Sequence, residues 1–382
     1  MKFSARTAWE LEENEFARTV RQIRETRAAD QPLLDLTVSN PTTCGFTYDA
    51  ESLLAPLADP QALIYEPDAL GMPRGREAVA AYYAEQGITA PIANICLTTS
   101  TSEAYSFLFR LLCDPGDEVL VARPSYPLFD FIAKLDHVTL VEYPLLYSEG
   151  WHIDFAALEA SITPRTRAIV VVHPNNPSGN FVSAAERLAL DALCARHNLA
   201  LLVDEVFLDY AWPPHQATSF AATTPQALTF ILSGLSKVCA LPQMKISWIV
   251  ATGPTDLVHA AMQRVEVIAD TFLSVNAPMQ FALSAWLRMR HALQSQIQLR
   301  CAENRATLDR LTAGTEVTRL RGEGGWTAVL RVPRETFLHD ALERGVIIQP
   351  GEFYGLPPGR AVVSLLTPPS IWLQGFTRIL NP

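Results

Sequence analysis

The chain has 382 residues, 49% of them hydrophobic and 18% charged, with a formal net charge of −10. That length exceeds the size at which a single core stops growing, so two packed lobes are expected, and the composition leaves no room for extensive disorder. The acidic balance supplies no basic excess to neutralise phosphates, which argues against nucleic acid and anionic membrane as partners.

The opening residues MKFSARTAWELEENEF lack the apolar run of a signal peptide. No segment approaches the roughly 18 apolar residues of a membrane helix, so a soluble cytoplasmic protein is expected. Up to about Ala29, charges interleave with Trp9, Leu11, Phe16 and Val20, as on a surface helix, and LLDLTVSNP then runs into a turn. Short apolar strings follow between helical stretches: NICLTT (94–99), DEVLVARP (117–124), VTLVEYPL (138–145), RAIVVVHP (167–174), LALLVDEV (199–206), FILSG (230–234) and ISWIVATG (246–253). Several are apolar at consecutive positions, as strands buried on both faces must be, and their alternation with helices predicts an α/β fold with a mostly parallel sheet. From Asp256 to about Ala313 the pattern is helical, and the tail reads as a small α+β lobe. This divides the chain into a large domain at 46–275 and a second unit formed by 1–45 with 276–382. Cys44, Cys96, Cys113, Cys194, Cys239 and Cys301 show no C-x-x-C pair and no His at zinc-finger spacing, predicting reduced thiols without a metal site or disulfide framework.

In open α/β sheets, ligands sit beyond the carboxyl ends of the strands. Reading each string to its end places there Thr98 to Ser102, then Pro124-Ser125-Tyr126, the run Asn175-Asn176-Pro177-Ser178-Gly179, Asp204, and Ser233 to Lys237. An amine, a carboxylate, an amide, an aromatic and hydroxyls on one edge suit an aldehyde cofactor bearing a ring and a phosphate, which is pyridoxal 5'-phosphate. Each residue also has an ordinary reading. Asp204 could cap a helix or pair with a cation, Asn176 could shape its Pro turn, Tyr126 could pack, and serines and threonines cap helices. Lys237 sits among apolar neighbours, where a lysine is kept when it is paired, used, or able to reach water. No G-x-G-x-x-G follows a strand and no P-loop occurs.

Over nearly its whole length the chain resembles the class I/II, fold-type I aminotransferases. The resemblance rests on YEPDALGMPRGREAVAAYY (65–83), LLCDPGDEVLVARPSYPLF (111–129), NNPSG, LVDEVF and SGLSK, with 28 residues from Asn176 to Asp204 and 33 from Asp204 to Lys237. It implies a large domain with a mostly parallel sheet flanked by helices plus a small α+β domain. It further implies a transaminase moving an amino group between an amino donor and a 2-oxo acid by a ping-pong mechanism. By that resemblance Lys237 is the Schiff-base lysine, Asp204 the partner of the ring nitrogen, Asn176 a donor to the ring's phenolic oxygen and Tyr126 the stacking aromatic. Thr101, Ser102, Ser236 and Lys245 match phosphate-side positions. Tyr65 matches a residue that reaches the neighbouring subunit's phosphate, which implies a homodimer.

Three positions depart from the pattern. Phe207 stands where a tyrosine usually bonds the cofactor, Lys245 stands for an arginine, and Val362 falls where an arginine grips the substrate carboxylate. Arg360, Arg331 or Arg321 is then expected to take over that carboxylate, Arg360 first, unless the donor lacks one there. Trp326 stands where the small lobe could approach the pocket. A lyase or decarboxylase on the same cofactor, or a noncatalytic cofactor-sensing domain, is the alternative.

Overall fold

The computed structural model describes residues 1–9, 12–27, 31–126, 129–333 and 336–380. Leu11, the end of the opening segment at Ala28–Ala29, and Pro127–Leu128 of the second motif lie outside them. Nine strands precede the long helices: β1 (Leu34–Asp35), β2 (Ile95–Thr98), β3 (Glu118–Arg123), β4 (Thr139–Tyr147), β5 (Trp151–Ile153), β6 (Thr166–Val172), β7 (Ala200–Asp204), β8 (Thr229–Gly234) and β9 (Ser247–Thr252) among the described residues. All seven strings expected as strands are strands.

β2 to β9 form one sheet in the order β2-β9-β8-β7-β6-β3-β4-β5. β8, β7, β6, β3 and β4 are parallel, whereas β9 runs antiparallel to both β2 and β8. The consecutive apolar residues have a simple cause. Ile169, Val171, Leu201, Val203 and Ile231 enter one core, while Val170, Val172, Leu202, Phe230 and Leu232 enter another on the opposite face. A strand covered on both sides has no position for an exposed polar residue.

The helical stretch after β9 is two helices, Thr255–Asp270 and Ala277–Thr312. Then come β10 (Thr318–Arg319), β11 (Thr327–Arg331), β12 (Val346–Ile347), β13 (Gln349–Pro350) and β14 (Arg360–Ser364). β10-β11-β14-β13 make a four-stranded antiparallel sheet, and β1 pairs with β12 in parallel. Near the start, the helix Glu15–Thr26 buries no residue, as its charge pattern predicts, and Trp9 packs edge-on against Phe131.

Candidate active site

A cavity of about 350 Å³ opens where the carboxyl edge of the eight-stranded sheet meets the four-stranded sheet. β6 ends at Val172 and passes into the Asn175–Gly179 turn, closed by Gly179 N–H donating to Asn175 O at 2.8 Å and by the Ser178 hydroxyl on Asn175 Oδ1 at 2.8 Å. The locked turn presents Asn176 to the cavity, with its Oδ1 buried and without a hydrogen-bond partner.

One strand over, β7 ends on Asp204. Its carboxylate accepts from Val206 N–H at 3.1 Å and from the Tyr105 hydroxyl at 3.2 Å. Burial nevertheless pushes its pKa up to about 6, against those two bonds and the opposing charge of Lys237.

β8 ends at Gly234, where a Cβ would collide with the Ser247 side chain, 2.8 Å from its Cβ. That close approach leads into the short helix Leu235–Val238 and sets Lys237 on the cavity wall, its carbonyl accepting from the Tyr210 hydroxyl at 2.7 Å. Burial lowers the Lys237 pKa, with Asp204 opposing. Its Nζ lies 5.2 Å from the centre of the Trp326 ring and 5.6 Å from that of Phe207.

The antiparallel β9 explains the hydroxyl-rich end. Ser247 is in register with both Thr98 of β2 and Gly234 of β8, so Ser100, Lys245 and Ser236, each two residues beyond, gather at the same strand ends and all line the cavity. Ser100 caps the helix Thr101–Leu112, its Oγ accepting from Glu103 N–H at 3.1 Å. The first-turn N–H groups at Thr101 and Ser102 have no partner within the helix, and such a terminus favours an anion. Lys245 is solvent-exposed.

Tyr126 lines the cavity with 42% of its surface exposed, and burial together with Asp204 raises its hydroxyl pKa. From the four-stranded sheet come Thr327, Gln349, Val362, Val363 and Ser364, joined by Trp326 just before β11 and by Tyr354. The Thr327 hydroxyl donates to Pro177 O at 3.0 Å and ties this wall to the Asn176 turn.

The structure thus brings together Lys237, Asp204, Asn176, Tyr126, Thr101, Ser102, Ser236 and Lys245. Two expected residues stand elsewhere. Arg360 is not among the lining residues: it pairs in register with Arg331 across β11 and β14, and its Nη1 donates to Gly359 O at 3.0 Å. Tyr65 is 79% exposed and lines a different hollow with Leu273 and Ser274. Sequence reading missed Tyr105, one helical turn beyond Thr101 and hence on the same helix face. It also missed Thr37, Ser39, Gln349 and Tyr354.

Comparison with known proteins identifies the family and the fold. The family model described as aminotransferase class I and II matches residues 47–371. The glutamate-pyruvate aminotransferase AlaA of Escherichia coli is 30% identical over 257 residues, 67% of this chain and 63% of that protein. The alanine aminotransferase of Mycobacterium tuberculosis is 30% identical over 206 residues, 54% of this chain and 48% of that protein. The aligned part of the chain therefore spans less than two thirds of these relatives. Among solved structures, the alanine aminotransferase from Pyrococcus furiosus superposes with a TM-score of 0.88 at 21% identity, covering 100% of this chain and 99% of that one. The Thermus thermophilus aspartate aminotransferase with maleate gives 0.85 at 22% identity, with 100% of both chains covered.

Proposed function

Because the chain belongs to the class I and II aminotransferases and has their fold-type I architecture, we propose that it is a pyridoxal-phosphate-dependent transaminase exchanging an amino group between an amino donor and a 2-oxo acid. The observation that carries the reading is the meeting of the buried Asp204 and the half-buried Lys237 in one cavity that Asn176 also lines. These residues fit the cofactor. The relatives named above are aminotransferases, and no observation favours the lyase or sensor alternatives.

When bound, pyridoxal phosphate supplies an aldehyde that takes up the amino group and a ring that withdraws electrons from the reacting carbon. Asp204 would hold a proton on the ring nitrogen, and that cation would in turn keep the buried carboxylate ionised. Asn176 would face the phenolic oxygen alone, since Phe207 offers no hydroxyl. Ser100, Thr101, Ser102, Ser236 and Lys245 would hold the phosphate, and Tyr126 would cover the ring. Lys237 is the base: its lowered pKa leaves more free amine near neutral pH, able to attack a carbonyl and to carry a proton from the substrate Cα.

A homodimer is part of the proposal. Leu63, Ile64 and Tyr65 are 91%, 57% and 79% exposed, an apolar run that suits a partner surface from which Tyr65 would reach a second site. A cytoplasmic location is supported by free, mostly buried cysteines, and no described helix is long and apolar enough to cross a membrane.

Borohydride reduction of the cofactor-loaded protein followed by peptide mapping tests the reading. The tag is expected on Lys237, and Lys237→Ala should abolish both the yellow absorbance and turnover. A tag on another side chain, or none, refutes it.

A further inference from the structure

The two ends of the cavity differ in charge. Among the described residues that line it, Lys237 and Lys245 are the cations and Asp204 the anion. Lys245 stands with the hydroxyls of Ser100 and Ser236 at one end, and Lys237 and Asp204 belong to the reacting centre. Among the described residues, none that lines the wall made by the four-stranded sheet is ionised at neutral pH.

Register fixes that wall. Val362 of β14 lies opposite Val329 on one side and Gln349 on the other, and Ser364 lies opposite Thr327. Val362 and Val363 are each 1% exposed and, as neighbours on a strand, pack on opposite faces, Val362 with Val329 and Tyr354 and Val363 in the cluster that holds Trp326. Side chains two apart on a strand share a face, which puts Arg360 on the side of Val362, but one step further along and beside Arg331.

The polar groups on this wall are neutral and of one kind. Gln349 Oε1 already accepts from the Tyr354 hydroxyl at 3.0 Å, which leaves its amide N–H groups free. Ser364 Oγ accepts from Leu366 N–H at 3.3 Å, which leaves its O–H to donate. The Thr327 hydroxyl is spent on Pro177. Two neutral donors beside Val362 suit an uncharged acceptor such as an amide, ester, ketone or hydroxyl oxygen. A carboxylate placed there would gain the same two hydrogen bonds but no counter-charge, so a 2-oxo acid would bind this wall more weakly than an uncharged acceptor does.

We infer that one of the two amino compounds exchanged at this site is not a free α-amino acid: it carries an uncharged hydrogen-bond acceptor where an α-carboxylate would lie. This rests on the transaminase reading and specifies its substrate class. The donor's C–NH2 carbon becomes a carbonyl carbon, and the amino group and two electrons pass to the carbonyl of the second substrate, which becomes the amine.

Two measurements on the cofactor-loaded wild type test it. In the first, loss of the bound-cofactor absorbance is followed with alanine, alaninamide and alaninol, and with the corresponding leucine set. The neutral compounds should react with kcat/KM higher by about tenfold or more, and Gln349→Leu should erase most of that advantage through KM. Faster reaction of the free acids, with Lys237 still trapped by borohydride, overturns the inference and leaves the transaminase reading standing. In the second, binding of 2-aminoisobutyramide and 2-aminoisobutyric acid, which lack a Cα–H, is measured by calorimetry. Tighter binding of the amide supports the neutral wall whether or not any donor turns over, and tighter binding of the acid refutes it.

Discussion

Lys237 sits in the short helix that follows β8 and Trp326 immediately precedes β11 of the other sheet, yet the amine nitrogen of the first lies 5.2 Å from the ring centre of the second. Trp326 is 1% exposed and packs edge-on against Phe207 and Tyr210 at 5.2 and 5.0 Å, so the aromatic cluster that dries the lysine also joins the two sheets. Trp326→Ala should admit water, let the Lys237 pKa rise toward its ordinary value, and slow cofactor capture at neutral pH. It should also cost about 3–5 kcal/mol of stability. Trp326→Phe should keep most of both. Stopped-flow absorbance on mixing with pyridoxal phosphate, together with urea unfolding, separates the two effects.

Asp204 makes the cofactor-free protein sensitive to pH. Its ordinary pKa of 3.8 is raised to about 6 by burial, so between those values the folded state binds more protons than the unfolded one. Stability from this group therefore falls as pH rises from about 4 through 6, by roughly 2–3 kcal/mol in all. The adjacent Glu205, raised to about 7, acts in the same sense and extends the decline. The buried His173, lowered to about 3, opposes this below its ordinary 6.5, so the Asp204 share is read as the wild-type advantage in urea midpoint over Asp204→Asn, which should shrink between pH 4 and pH 7. The substitution should leave the Glu205 part in place.

Gly179 seals the contact between the Asn176 turn and the four-stranded sheet. Its carbonyl accepts from the N–H groups of Glu323 and Gly324, both at 2.8 Å. Its φ is +72°, and a Cβ there would lie 2.6 Å from Gly324 O. Gly179→Ala should destabilise by about 2–4 kcal/mol, summing left-handed backbone strain and a clash with backbone. It should weaken cofactor retention as well, because the turn that shifts carries Asn176. Thermal denaturation with and without cofactor reads both.

Ser100 serves a helix and lines the proposed phosphate end at once. Ser100→Ala removes the cap on the helix Thr101–Leu112 and should cost about 1 kcal/mol. Cofactor should be lost faster on dialysis, and inorganic phosphate should protect the variant against that loss less well than it protects the wild type.

The seven strands and the residues at their ends were legible because a strand covered on both faces must be apolar without alternation, and because the polar residue after such a run marks the edge. Lys237, Asp204 and Asn176 come from neighbouring parallel strands, so chain order reports spatial order. The far wall offers no such regularity. Gln349 belongs to the two-residue strand β13, and it meets Val362 only through a register that short segments do not announce. Arg360 shows the related difficulty that a charge on the same strand and face as Val362 can fall one step outside the lining.

Because β9 lies between β2 and β8, removing it would do more than shorten the sheet. A nascent or proteolysed chain ending before Ser247 retains the aspartate, the asparagine turn and even the reactive amine. Its two flanking strands, however, have nothing to hydrogen-bond across the gap, and Ser100 and Ser236 are no longer drawn to a common spot. Capture of the proposed cofactor should therefore wait for β9, and fragments ending before Ser247 should fail to retain it.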